Sequence, residues 1–299
     1  MKLIKPKYEI LQSQGLFKDI EIAARTCYKS EGLICEGSDK KMVDMLIQRK
    51  HFAMLRHGTV YLQYNHNSLH PYIGSNLYEK YKQNKYSESH YDYINRDTKA
   101  TIVTTNYNVL VENNWLDDLQ YQCEPTKYHE KRISVRFTTQ VAISREYNRH
   151  SVNSIAESST RYCNYSKDKF GNEITINLPH CVTEIELDQA HKYTTEIAIP
   201  NDEYGTLYEK ETKEWLAIDW WLWANACTEL AYMKLIELGW KAQDARTILP
   251  LDVNTELIHT AFVSDWKHFF EMRDAETAHP DARALAHGLH EEFKRLNLL

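Results

Sequence analysis

A mixed α/β fold is predicted by three observations. Helical and strand periodicities alternate along the chain, Ile133 to Val141 carries the two-residue repeat of a half-buried strand, and Glu203 to Leu238 forms a long apolar helical run. At 299 residues the chain can be one large domain or two ordinary ones. We expect a single domain over 1–299 with an insertion at about 65–130.

Phe17 to Tyr28 sets Ile20, Ala23, Ala24 and Cys27 on one helical face, with Arg25 near its end. Ser38-Asp39 is suited to cap a second helix through Met42, Met45, Leu46 and Ile47, and Arg49-Lys50 at its end suit the helix dipole. His51 to His57 then precedes Gly58 and an alternating Thr-Val-Tyr-Leu-Gln-Tyr strand. The two histidines read either as the edge of a site or as ordinary loop residues. Asn65 to Glu130 is tyrosine-rich and polar, with a short strand at Thr101 to Thr105 and a helix from Leu110 to Tyr121.

After the Ile133 strand, Ile143, Tyr147, Val152 and Ile155 continue in a partly helical rhythm. Lys167 to Glu173 is a turn, and Ile174 to Leu178 a short strand. Glu203 to Leu238, ended by Gly239, belongs in a core or a subunit interface. Trp240 to Leu249 is a short helix stopped by Pro250, and Val253 to His259 is expected to begin another helical turn. Asp265 to Arg273 is amphipathic, and Pro280 starts a last helix through Phe293.

The balance of 36 basic against 42 acidic residues, net charge −6, argues against a nucleic-acid surface, so any phosphate binding must be local. Six cysteines without a Cys-x-x-Cys pair indicate neither a zinc cage nor a disulfide framework, and a reducing, cytoplasmic setting fits best. The N-terminus lacks the apolar core of a signal peptide, and no run approaches the ~20 apolar residues of a membrane span, so a soluble protein is expected. No metal is expected: no carboxylate–histidine helix spacing accompanies His268 or His279.

Chemistry concentrates in Arg145 to Tyr165, which holds Arg145, Arg149, Arg161, His150, Glu146, Glu157 and a row of hydroxyls. Guanidinium forks with hydroxyl and backbone donors are the combination that holds phosphate. From the residues alone the stretch is an anion site or a polar surface loop.

Arg149-His150-Ser151, followed after seven residues by Ser159 and then by Arg161, resembles the signature of the flavin-dependent thymidylate synthases, Arg-His-Arg, seven residues, Ser, one residue, Arg. Ala23-Ala-Arg-Thr-Cys-Tyr28, His51 to His57, Ala245-Arg-Thr-Ile-Leu-Pro250 and Trp266-x-His-Phe-Phe-x-x-Arg273 with Ala278-His-Pro280 are similar to that family in the same order. Ser159 to Glu173 and the 65–130 insertion resemble its longer-chain branch.

The resemblance implies an α/β (α+β) subunit with a mixed or antiparallel sheet and long helices. It further implies a homotetramer with active sites between subunits, converting dUMP to dTMP with methylenetetrahydrofolate, FAD and NADPH. By the same resemblance Ser159 and Arg246 are catalytic. Glu146, Arg149, Glu157, Ser158, Ser159, Arg161, Arg246 and Arg273 bind the nucleotide. His51, Arg56, His57, Arg149, His150, Ser151, His268 and His279 lie on the flavin and folate side. Ser159 is not expected to be a nucleophile, because no adjacent base is evident. Instead, arginine and backbone donors polarise the uracil while reduced flavin supplies hydride.

Five positions depart from the pattern, one of them Ser158, which follows Glu157 where the longer branch places Gln-Glu. Ser151 stands where the third signature residue is arginine, Arg56 where an acidic residue precedes the second histidine, and Phe262 and Ser264 where shorter relatives carry Asn and Arg. These departures keep two alternatives in view: a folate-dependent pyrimidine nucleotide hydroxymethylase without flavin reduction, and a catalytically silent nucleotide-binding homologue. Leu178-Pro-His-Cys181 superficially resembles the cysteine loop of the unrelated cysteine-dependent synthases, but nothing around it matches that fold.

Overall fold

A computed structural model describes residues 1–66, 69–190 and 215–299. The strands are β1 (Lys2–Ile4), β2 (Lys7–Leu11), β3 (Thr59–Asn65), β4 (Glu88–Tyr93), β5 (Lys99–Asn106), β6 (Arg132–Gln140), β7 (Ser154–Glu157), β8 (Thr175–Asn177) and β9 (Asn254–Phe262). The helices are α1 (Leu16–Tyr28), α2 (Ser38–Gln48), α3 (Pro71–Lys82), α4 (Tyr107–Glu112), α5 (Val141–Tyr147), α6 (Glu184–Gln189), α7 (Ala217–Glu237), α8 (Ala242–Ala245), α9 (Val263–Arg273) and α10 (Pro280–Arg295). Helices with parallel and antiparallel strand pairs confirm the α+β class. The chain divides into unit 1 (Met1–Lys7, Thr138–Glu146, Ser159–Thr255) and unit 2 (Tyr8–Phe137, Tyr147–Ser158, Glu256–Leu299).

In unit 2, β3, β5 and β4 form an antiparallel sheet in that order, with Thr59 opposite Asn106 and Asn65 opposite Ala100. Ile20 and Ala24 of α1, Val43 and Leu46 of α2, and Val60 and Leu62 of β3 bury their side chains in one cluster with Leu77, Tyr81 and Val103. The 65–130 stretch therefore contributes to this core, where each fully buried Leu or Val is worth roughly 1.5–3 kcal/mol. The other sheet runs β2-β6-β9-β7, and β7 is antiparallel to β9 from Ser154 opposite Thr260 to Glu157 opposite Leu257. Beside it Phe137, Tyr147, Trp266 and Phe269 pack around His259. Their polar tips are satisfied: Tyr147 Oη donates to the Ala282 carbonyl at 2.7 Å and Trp266 Nε1 to that of Ile133 at 3.1 Å.

Gly58 joins the His51–His57 segment to β3 where α1 passes very close. A Cβ there would lie 2.7 Å from both Ile20 Cδ1 and Leu16 Cδ1. Gly58→Ala is expected to lower stability by about 1–3 kcal/mol through overpacking, measured by urea unfolding. An unchanged midpoint would show that the Ile20 and Leu16 side chains yield freely.

In unit 1, β1 pairs parallel with β8, and the Met1 amino group closes the edge through Glu173 at 3.2 Å and Glu229 at 2.9 Å. Tyr165, Ile174, Ile176, Tyr232, Ala245 and Val253 form its core. Thr183 and Glu186 make a reciprocal capping box that starts α6. Helix α7 is apolar on most faces yet buries only Ile218, Asp219, Asn225 and Tyr232. Gly239, at φ 95°, follows it in the left-handed conformation that a helix terminus needs.

Several elements differ from expectation. Helix α2 is preceded by Gly37 at φ 70° instead of a side-chain cap; Ser38 Oγ instead donates to Glu21 Oε2 at 2.9 Å. The Leu110 to Tyr121 helix is broken, because α4 stops at Glu112 and Asn114 adopts φ 58°; a 3₁₀ turn resumes at Leu116–Tyr121. The helical rhythm through Ile155 ends at Tyr147, and Ile155 lies in β7. Val253 to His259 is strand, not helix: β9 is covered on both faces, so its burial is nearly continuous and the two-residue alternation disappears. The Trp240 to Leu249 helix is reduced to α8 and a 3₁₀ turn at Arg246–Ile248. The beginning of the Glu203 to Leu238 run, through 214, lies outside the described residues.

Candidate functional site

The nucleotide-side candidates of unit 1 gather at one turn. The Ser159 carbonyl accepts from the Tyr162 amide at 3.1 Å and the Cys163 amide at 2.9 Å, which turns the chain and exposes Arg161. Arg246 opens the 3₁₀ turn after α8, stopped by Pro250, and its Nη1 donates to Thr160 Oγ1 at 3.3 Å. Arg161 Nε donates to Gln243 Oε1 at 3.4 Å. Two exposed guanidinium groups thus sit over one hydroxyl-bearing turn with these long bonds to neutral partners. That arrangement leaves their charge available to an anion. Gln243 was not among the predicted residues; only its place three positions before Arg246 marks it in the sequence. Glu146 lies half-buried on α5.

In unit 2, Glu157 ends β7 and its Oε2 accepts from Asn148 Nδ2 at 2.7 Å. The Ser158 amide donates to the Glu256 carbonyl at 2.8 Å, and its hydroxyl donates to the Thr26 carbonyl at 3.1 Å. Backbone partners therefore hold Ser158. Arg25 of the Ala-Ala-Arg-Thr-Cys-Tyr motif is likewise structural: it pairs with Glu21 at 2.7 Å and donates to the Ser30 carbonyl at 3.3 Å.

The flavin-side candidates all belong to unit 2. A turn over Tyr147 to Asn153 exposes Arg149 and Ser151 and half-buries His150. His150 Nε2 accepts from Arg273 Nε at 3.0 Å, so its proton resides on Nδ1. Burial, with Arg273, His268 and Arg149 nearby, pulls His150 down to about 4 and keeps it neutral at pH 7. Nδ1–H has no partner among the described residues. Arg273 is only 9% exposed, whereas His268 is exposed, its ring 5.8 Å from that of His150. His279 accepts from the Asp281 amide at 3.2 Å and so caps α10.

His51 is exposed at the start of its 3₁₀ turn. Arg56, the inverted charge, is absorbed locally: its guanidinium lies 4.2 Å from the Tyr86 ring and Nη2 donates to the Val152 carbonyl at 3.3 Å. Tyr86 comes from the 65–130 stretch, so the departure and the insertion are physically linked. His57 is 2% exposed, with Nδ1 2.9 Å from Thr260 Oγ1, and burial together with Arg132, His259 and Arg56 lowers it to about 3. Among the described residues no His, Cys, Asp and Glu group could hold a metal, and no helix is long and apolar enough to cross a membrane.

Residues 80–296 match the family described as thymidylate synthase complementing protein. No curated protein matches the chain. Among solved structures, the chain is similar to a UMP/dUMP methylase PolB from Streptomyces cacaoi bound with 5-Br dUMP, at 15% identity and a TM-score of 0.42, covering 99% of this chain and 93% of that one. The same enzyme bound with 5-Br UMP aligns at 13% identity and a TM-score of 0.42, covering 99% and 92%.

Proposed function

Because the chain belongs to the thymidylate synthase complementing protein family, we propose that it is a flavin-dependent thymidylate synthase, which converts dUMP to dTMP with methylenetetrahydrofolate, FAD and NADPH. The observation that carries this reading is the turn at Ser159 to Arg161 with Arg246 above it. Arg161 and Arg246 would hold the nucleotide, with Ser159 contributing donors. Arg149, Glu146, Glu157, Ser158 and Arg273 complete the proposed nucleotide set. Among the described residues no hydrogen bond joins the Ser159 hydroxyl to a base, so its part is to bind and orient.

The residues on the flavin side fit an aromatic, anionic cofactor. The His150 Nδ1–H is a fixed donor held by Arg273, and Arg149 is an exposed cation. His51, His268 and His279 complete that set, with Arg56 and His57 behind it. When bound and reduced, FAD supplies the hydride of the methylation. The apolar but largely unburied α7, with Trp220 and Leu230 exposed, supports a subunit interface in a homo-oligomer, proposed as a tetramer. None of the six cysteines forms a disulfide, which suits a reducing cytoplasm.

The visible spectrum with and without FAD and dUMP tests the proposal, followed by dUMP-dependent NADPH oxidation and product identification. A flavin band and dTMP are expected. A protein that takes up no FAD at tens of micromolar would sink it. Ser151→Arg is expected to tighten FAD binding roughly tenfold by restoring one charged hydrogen bond, and an unaltered affinity counts against a flavin at that turn.

One specific observation favours a second reading. Ser151 is uncharged and Arg56 is committed to Tyr86, so the flavin side has few cations. A hydroxymethylase would complete one-carbon transfer with water in place of hydride, giving the 5-hydroxymethyl nucleotide and tetrahydrofolate. Formation of dTMP as sole product under NADPH excludes it, and any turnover by the purified chain excludes a silent homologue.

A further inference from the structure

Unit 2 contains a cleft of about 840 Å³, within the size range of small-molecule sites. Of the residues proposed for substrate or cofactor, only His57 touches it, so the cleft stands apart from the proposed reaction. Its walls are mostly apolar, from Ile10, Leu16, Ile22, Ile133, Ile258 and Leu298.

Most of its polar groups are already engaged. Asp19 accepts from Ser13 Oγ at 2.6 Å and from the Gln14 amide at 2.9 Å. Thr260 Oγ1 is shared between His57 Nδ1 at 2.9 Å and Ser134 Oγ at 2.7 Å. Lys131 and Glu124 are both exposed to solvent.

Arg132 differs in that only neutral groups engage it, the Phe262 ring 5.5 Å away among them. Its terminal nitrogens meet only neutral acceptors: Thr59 Oγ1 at 3.1 Å, Ser154 Oγ at 3.1 Å and the Arg56 carbonyl at 3.0 Å. Its Nε is buried without a partner. No carboxylate of a described residue pairs with it, and Asp265 acts only through space. A half-buried guanidinium without a counter-ion favours an anion arriving beside it. We propose that this cleft binds an amphipathic organic anion, its apolar body against Leu16, Ile22 and Leu298 and its carboxylate or phosphate head on Arg132.

Burial pulls the Arg132 guanidinium down to about 10, still charged at neutral pH, as the proposal requires. The cleft is a binding site and not a reaction centre. Its one thiol, Cys123, lies 3.7 Å from His129 Nε2, but His129 Nδ1 accepts from the Thr126 amide at 3.2 Å. Nε2 therefore carries the ring proton and has no lone pair for the thiol's, which burial holds in its neutral form.

The test uses 8-anilinonaphthalene-1-sulfonate, an apolar body with one anionic head, as the fluorescent probe on the full chain. Decanoate or decyl phosphate is expected to displace it at least tenfold more effectively than decanol, and the better of the two identifies the head group. Arg132→Gln should weaken the better anion about tenfold and leave decanol unchanged. Leu298→Trp narrows the apolar side of the cleft and should weaken the anions several-fold without touching the core, so the idea stays testable if Arg132→Gln does not fold. Equal competition by decanol and decanoate overturns the proposal, as does unchanged binding in Leu298→Trp. Displacement of the probe by dUMP or FAD would merge the cleft with the proposed active site and overturn its independence.

Discussion

Arg246→Ala is expected to lower kcat/KM for dUMP roughly 100-fold while leaving the folded protein intact. Arg246 is exposed on its 3₁₀ turn, and the hydrogen bond it makes in unit 1 is a long one, 3.3 Å to Thr160 Oγ1. Its removal therefore takes away little packing. A charge-assisted bond to a phosphate oxygen is worth about 1.5–3 kcal/mol, which corresponds to roughly 10- to 150-fold in binding. Arg246→Lys keeps the charge but loses the planar fork, and should fall between wild type and alanine. Arg161→Ala should lose a similar amount. If both guanidinium groups hold one phosphate, the double variant should lose less than the product of the single effects, because the partners share a ligand. The decisive control is deoxyuridine, which lacks the phosphate: the variants should match wild type on it. Equal losses on deoxyuridine and dUMP would place these arginines elsewhere in the chemistry.

Much of this turn was legible in the sequence, because Ser159, Arg161 and Arg246 are polar identities at fixed spacing. Their surroundings were less so. Gln243, which holds Arg161, is an unremarkable glutamine in a helical turn. Tyr86, which absorbs the charge of Arg56, is separated from it by 30 residues of chain and is one of 20 tyrosines. The amphipathic helices α1 and α10 were readable because one face of each is wet, which preserves the 3.6-residue rhythm. Strand β9 was not, because Leu257 to Phe262 are buried without interruption and a fully covered strand carries no alternation. The break after α4 rests on Asn114 at φ 58°, a single-residue preference that the apolar pattern around it concealed.

The pH dependence of stability gives the second large effect. His57 and His259 are 2% and 0% exposed, and burial lowers each to about 3. In the unfolded chain a histidine titrates near 6.5, so between about pH 6.5 and 3 the unfolded state binds more protons than the folded one. Stability must then rise with pH across that window and be lost as pH falls through it, at about 1.4 kcal/mol per pH unit for each ring. At pH 5 the two histidines together cost about 4 kcal/mol relative to pH 7.5, a large share of the stability of most domains. The surroundings explain why neither ring can charge in place. His259 is enclosed by Phe137, Tyr147, Trp266 and Phe269, and its polar neighbour is Asn153 Nδ2 at 3.4 Å from Nδ1. His57 has Arg132 and Arg56 close by, which oppose a further positive charge. Urea unfolding at intervals from pH 5 to 7.5 measures the slope. His259→Gln keeps a polar group opposite Asn153 but cannot titrate, so it should remove about one proton from the pH dependence even where it lowers stability overall. A variant that retains the wild-type slope would show that His259 does not stay neutral in the folded protein.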